Sequence, residues 1–174
     1  SQYYSGSGTG FVYIFYGGSV TTESASGADV TITGEASLNR FGHALGAGDL
    51  NADGKTDLIV GAYGYSSNTG RAYIFYSDGS YPATAASADI IITGEASTNY
   101  FGSALTSGDF NADGRIDLAI GANQYSTSTG RAYLFYGGSI ITENASGADI
   151  IITGEATGNY FGHSLAVGDF NADG

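Results

Sequence analysis

Short apolar stretches rich in β-branched and aromatic residues alternate along the chain with clusters of Gly, Ser, Asn and Asp. None sustains a helical period, and each is bounded by turn formers, so the pattern predicts strands. Within one unit four stretches stand out: His43 to Gly48, Asp57 to Ala62, Arg71 to Tyr76 and Ala88 to Thr93. The same order then starts again. Phe41-Gly42 returns as Phe101-Gly102 and Phe161-Gly162, a period of 60 residues. Gly70-Arg71-Ala72-Tyr73 returns at Gly130, and Thr33-Gly34-Glu35-Ala36 returns at Thr93 and Thr153.

Four strands per unit make a small antiparallel sheet, which cannot bury both faces alone. Successive sheets must therefore stack, as blades do in a propeller. The fold class read from the pattern is all-β, with blades of four antiparallel strands on a 60-residue repeat. Residues 1–40 form a partial blade of outer strands, 41–100 and 101–160 are complete repeats, and 161–174 begin another. Small residues such as Gly102, Ala104, Leu105 and Gly108 suit a crowded innermost strand. The stretch Ala72 to Tyr76 carries bulk on both faces and belongs between neighbouring blades. Asp89 to Thr93 reads as outermost, crossing through Gly94-Glu95-Ala96 to the next Phe-Gly.

The formal charge of -12 with only five Lys and Arg argues against nucleic acid, since phosphate binding needs clustered cations. No cysteine is present, which removes disulfides, thiolate metal sites and thiol nucleophiles. No apolar run approaches the roughly eighteen residues that a membrane helix needs, so no membrane insertion is expected.

Much of the acidity is concentrated in Asp49 to Asp57, which reads D-L-N-A-D-G-K-T-D. Asp49, Asn51, Asp53 and Asp57 alternate around Gly54, where the backbone must turn, and Lys55 stands where a carbonyl ligand is expected. A hard cation such as Ca2+ takes about six to eight oxygens, and a short loop supplies them in this way. The position of a helix-flanked loop's closing Glu is here Val60, inside an apolar run, so the loop belongs between strands. It recurs as Asp109, Asn111, Asp113, Arg115 and Asp117, and begins again at Asp169, Asn171 and Asp173. A polar turn is the plainer reading of one copy. Repetition favours the cation, because carboxylates packed this closely repel one another without one.

The Phe41-Gly42 pair, the loop Asp49 to Asp57 and the following Gly61-Ala62 together resemble FG-GAP repeats, the blades of the propeller of integrin α subunits and of microbial surface proteins. The resemblance implies calcium in the loop between the first two strands of a blade, held by the residues named above. It extends to the third loop only as far as Asp173. One departure is that the family's Gly-Ala-Pro reads Gly61-Ala62-Tyr63 and Gly121-Ala122-Asn123.

Closed propellers have about four to eight blades. Two complete blades flanked by partial ones imply a window cut from a longer array, or chains that complete each other by exchanging strands. Terminal blades are therefore expected to contact further copies of the repeat or of the chain itself, and no closed monomer is expected.

Other residues carry weaker signals. His43 and His163 share a repeat position with Ser103 and read as packing, since no nucleophile and base accompany them. Arg71 and Arg131 read as charges that discourage strand-edge pairing. Glu35, Glu95 and Glu155 are placed to bond backbone donors of the next blade. Tyr65 and Tyr125 offer stacking faces for sugars, although packing is the commoner use. Asn144-Ala145-Ser146 is a glycosylation acceptor pattern.

The reading that emerges is a calcium-binding, non-enzymatic, extracellular or cell-surface module with a structural or adhesive role and a protein or glycan ligand. Its rivals are a subunit of a head-to-tail surface filament and the ancillary propeller of a secreted hydrolase or phospholipase.

Overall fold

A computed structural model describes residues 8–17 and 24–168. Two strands, β1 (Phe11–Ile14) and β2 (Val30–Thr33), pair antiparallel as the outer half of a blade. The first complete blade consists of β3 (Ala44–Gly48), β4 (Asp57–Ala62), β5 (Arg71–Phe75) and β6 (Ile90–Thr93), joined antiparallel in that order. The second consists of β7 (Phe101–Gly108), β8 (Asp117–Ala122), β9 (Arg131–Phe135) and β11 (Ile150–Thr153). The all-β, blade-type fold expected from the repeat is what forms.

Three predicted strands are slightly too long, each for a local reason. The His43 N–H is held in a turn by the Arg40 and Gly61 carbonyls, both at 3.1 Å. The Tyr76 N–H leaves the ladder to donate to Asp89 Oδ2 at 2.8 Å. Ala88 closes a short turn onto the Ala85 carbonyl.

The fourth strand is also not the outermost. A fifth, β10 (Glu143–Asn144), returns from the second unit and pairs parallel with Ile92 and Thr93 of β6. Thr142 Oγ1 accepts from the Ile91 N–H at 3.1 Å, and the Asn144 side chain donates to the Gly94 carbonyl at 3.1 Å. The first unit covers β2 similarly, with Thr33 donating to the Ala83 carbonyl at 2.9 Å. Each unit thus protects the strand edge of the blade before it, an edge that would otherwise invite foreign pairing.

Blade faces meet in two apolar layers. Val12 and Ile32 of the partial blade pack against Val60, Tyr73 and Phe75. The opposite face of the first blade, Ile59, Ile74, Ile90 and Ile92, packs against Leu118, Ile120, Tyr133 and Phe135 of the second. Alternate residues of β4 and β5 therefore serve different junctions, which is why the third stretch carries bulk on both sides. Tyr73 and Phe75 are buried, and each such burial contributes about 1.5–3 kcal/mol. Phe41 and Phe101 set their rings edge-on against Tyr73 and Tyr133, with centroids 5.4 and 5.3 Å apart. The innermost strands touch directly: Ser107 Oγ donates to the Ala47 carbonyl at 2.7 Å. On the second blade's far face, Ile150 and Ile152 are 38% and 45% exposed, whereas their counterparts Ile90 and Ile92 are buried.

Candidate metal centre

The aspartate loops join the first strand of each complete blade to the second. Their shape follows from left-handed residues at fixed places: Ala52 and Gly54 in the first loop (φ 59° and 84°), Ala112 and Gly114 in the second (φ 58° and 84°). Asp49 spreads its two carboxylate oxygens over the turn, accepting from the Asp53 N–H at 3.0 Å and the Gly54 N–H at 2.8 Å. Asn51 Oδ1 also accepts from the Asp53 N–H, and Asp53 Oδ1 accepts from the Lys55 N–H at 2.8 Å. Asp109, Asn111 and Asp113 repeat every one of these bonds toward Asp113, Gly114 and Arg115.

The last acid of each loop behaves differently. Asp57 is buried, and its carboxylate accepts from the Leu50 N–H at 2.9 Å and the Ser77 N–H at 3.0 Å. Asp117 does the same for Phe110 and Gly137, both at 2.8 Å. These two acids tie the loop's first residues to the end of the third strand. Burial pushes the Asp57 pKa up; the Ser77 and Leu50 amides oppose this, while nearby Asp53 and Asp49 add to it. Sequence reasoning missed this anchoring, for which the only signal was an acid placed at the first residue of an apolar strand.

Among the described residues, no three acidic or histidine side chains converge into a ready-made cage. The donor set nevertheless suits a hard cation. Every side chain proposed as a ligand offers oxygen, a carboxylate retains lone pairs beyond one bonded N–H per oxygen, and each loop carries three carboxylates. Lys55 Nζ approaches Asp53 only to 3.9 Å and is largely exposed. The residues present fit calcium. Asp169, Asn171 and Asp173 lie outside the described residues.

The other candidates find different partners from those expected. Glu35 bonds side chains of the next blade, not its backbone: Arg71 Nη1 donates to it at 2.8 Å and the Tyr73 hydroxyl at 2.9 Å. Arg71 is therefore no edge charge. It also donates to Thr93 Oγ1 at 3.1 Å and lies 3.6 Å over the Tyr65 ring. Arg131, Glu95, Tyr133, Thr153 and Tyr125 repeat this arrangement. The constant 36-residue spacing of Glu and Arg was legible in the sequence, but only the stacking shows that a crossover faces the following blade's third strand. The guanidinium groups pack on one face of Tyr65 and one face of Tyr125, the commoner use of these rings.

Both histidines are exposed and sit beside a residue that follows a second strand. His43 stands edge-on to Tyr63 at 4.5 Å between ring centroids, and His163 Nδ1 lies 2.8 Å from the Asn123 amide nitrogen. Partial burial, then Arg40 and His163, hold the His43 pKa below its ordinary value. Asn144 has its amide nitrogen on Gly94 and its oxygen on the Ser146 N–H at 3.0 Å, so glycan attachment would have to break the strap just described.

The family model for the FG-GAP repeat matches residues 41–75 and 101–135, each running from the Phe-Gly pair through the loop to the third strand. The chain is 36% identical over 147 residues to bovine phosphatidylinositol-glycan-specific phospholipase D, covering 77% of this chain and 17% of that protein. It is 31% identical over 153 residues to rat integrin alpha-7, covering 84% of the chain and 13% of the integrin. Chicken integrin alpha-6 is 35% identical over 146 residues, with 76% of the chain and 12% of the integrin covered. The chain thus spans less than a fifth of the length of these relatives.

Proposed function

The chain is an FG-GAP repeat protein, and on that premise we propose that its complete loops bind calcium and brace an extracellular module of structural or adhesive role. The observation that carries this reading is the repeated hydrogen-bonded turn of the two loops, which gathers Asp49, Asn51 and Asp53 around Gly54 and Asp109, Asn111 and Asp113 around Gly114, with Asp57 and Asp117 anchoring each loop from a buried position. Asp49, Asn51, Asp53 and Asp57 would hold one ion with the Lys55 carbonyl, and Asp109, Asn111, Asp113 and Asp117 another with that of Arg115. Bound calcium supplies positive charge that offsets the crowding of carboxylates. The chain's own residues supply the turn, through Gly54 and Gly114, and the anchoring, through Asp57 and Asp117. Asp169, Asn171 and Asp173 would begin a third site of the same kind.

An extracellular setting agrees with this chemistry, because loops of modest affinity fill where calcium is millimolar. The exposed apolar face around Ile150, Ile152 and Phe161 supports contact with a further repeat, in the same polypeptide or in another copy, and head-to-tail association into a filament is one form this takes. A second reading, an ancillary propeller beside a hydrolase, is favoured by the likeness to a phospholipase D, which covers a small part of that enzyme. The catalytic role would then reside in another domain, and this chain's part would be binding.

Thermal melts with calcium and with chelator test the calcium reading. Binding to the folded state alone stabilises it by about 2.7 kcal/mol per site at a hundredfold excess over Kd. The melts should separate clearly, and coincident curves would overturn the proposal.

A further inference from the structure

A short run of hydrogen bonds crosses the junction between the two aspartate loops. Leu50, the second residue of the first loop, donates its N–H to Asp57 at 2.9 Å, and its carbonyl accepts from the Gly138 N–H at 3.1 Å. Gly138 belongs to the turn after β9, in the next blade, and its neighbour Gly137 donates to Asp117 Oδ1 at 2.8 Å. Asp117 Oδ2 accepts from the N–H of Phe110, the second residue of the second loop, at 2.8 Å. The buried closing acids of both loops are thereby joined through one Gly-Gly turn.

Packing makes the same connection. The Leu50 side chain is buried in the cluster of the second junction, together with Leu118, Phe135 and Ile140. Gly48, directly before the first loop, lies against Ile116, directly before Asp117: a Cβ added to Gly48 would come within 2.7 Å of Ile116 Cγ2. Gly138 has φ 79°, and a side chain on it would run into Arg115 Nη1. The turn that holds Leu50 of the first loop is thus covered by a residue of the second. Fixing either loop limits the freedom of the other.

We propose that the two loops take up calcium cooperatively, with the Gly137-Gly138 turn carrying order from one to the other. This regulation rests on the calcium reading above. With the first loop filled, Leu50 is fixed between Asp57 and Gly138, and Gly137 is held on Asp117, a side chain assigned to the second site. The second loop then has less of its own backbone to order and binds more tightly, which is positive cooperativity with no change of fold. Charge alone gives the opposite sign: divalent ions in neighbouring loops repel, and salt at physiological strength screens that repulsion over about 8 Å. The sign of the coupling therefore separates the relay from simple electrostatics.

The test is amide NMR on the full chain titrated with calcium at physiological salt, which reads the loops separately through Gly54 and Gly114. Both should shift along one steep curve in the unaltered chain. Asp53→Ala, which leaves the second loop complete, should move the Gly114 midpoint to calcium at least about fivefold higher, the lower end of typical coupling between sites. Asp113→Ala should move the Gly54 midpoint by a similar factor, because coupling is reciprocal. Gly138→Ala alters the turn without touching a proposed ligand and should leave two independent curves; if that variant fails to fold, the two aspartate variants decide alone. Midpoints that stay put in both aspartate variants overturn the proposal. So do midpoints that fall, as charge repulsion requires, or curves that remain joined in a folded Gly138→Ala. In each of those cases calcium still fills the loops and the reading above stands, whereas no saturable shift at either glycine, with coincident melts, removes both.

Discussion

Glu35 and Arg71 meet at 2.8 Å across the first blade junction, and Glu95 and Arg131 repeat the pair at 2.9 Å across the second. Each side chain is about 20% exposed, so the pair is neither a screened surface contact nor fully desolvated. With the tyrosine hydroxyl on the same carboxylate, removing the acid strands a guanidinium and a phenol together.

Glu35→Ala should therefore destabilise the fold by about 1.5–3 kcal/mol, the worth of hydrogen bonds to a charged group. A double-mutant cycle with Arg71→Ala, read by denaturant unfolding, should give a coupling energy above about 0.5 kcal/mol. Additive losses would show that the two side chains act separately.

Alkaline pH probes the same junction. Burial first, and then Glu35, raise the Tyr73 pKa far above the ordinary phenol value; Tyr133 is raised likewise by burial and Glu95. A raised folded pKa means stability that is fully present below the unfolded value, about 10, and lost as pH rises beyond it. Melting temperature should hold to about pH 10 and fall above it. Tyr73→Phe with Tyr133→Phe should flatten that fall, at the cost of lower stability at neutral pH.

Asp53 and Asp57 should separate when calcium is removed. Asp53 is an exposed loop acid, whereas Asp57 satisfies the Leu50 and Ser77 amides from a buried position. Asp53→Ala should lower calcium stoichiometry by about one ion per chain and change Tm little in chelator. Asp57→Ala should cost about 2–4 kcal/mol even in chelator, because two backbone donors lose their acceptor. Calorimetric titration and chelated melts give the two readouts.

The blade pattern was legible because strand, turn and period all point the same way: Ala72 to Phe75 alternates, Gly54 turns, and Phe-Gly recurs. The loop acids were legible as a spacing. What the sequence withheld was spatial. Nothing in it shows that Asp57 faces its own hairpin's backbone, or that Arg71 reaches a crossover 36 residues earlier. The strap was hidden for another reason: Glu143–Asn144 is too short and too polar to read as a strand, and its bonds to β6 come partly from side chains.

That strap leads to the last prediction. Asn144 holds the Gly94 carbonyl at 3.1 Å and the Ser146 N–H at 3.0 Å, and Thr142 Oγ1 accepts from the Ile91 N–H. Asn144→Ala removes a cap and a bridge to the preceding blade, and should cost about 1–2 kcal/mol. Thr142→Val keeps the shape but takes away the Thr142 hydroxyl that accepts from the Ile91 amide, on a strand whose other edge stays paired with β5. Its signature is local: hydrogen exchange at Ile91 should accelerate while Ile90 and Ile92 keep their protection and Tm barely moves. Because the edge is shielded by side chains from the following unit, exchange at Ile91 reports directly on whether one blade stays fastened to the next. If Ile91 exchanges no faster in Thr142→Val, the strap does not protect that edge, and the covering of β6 is packing alone.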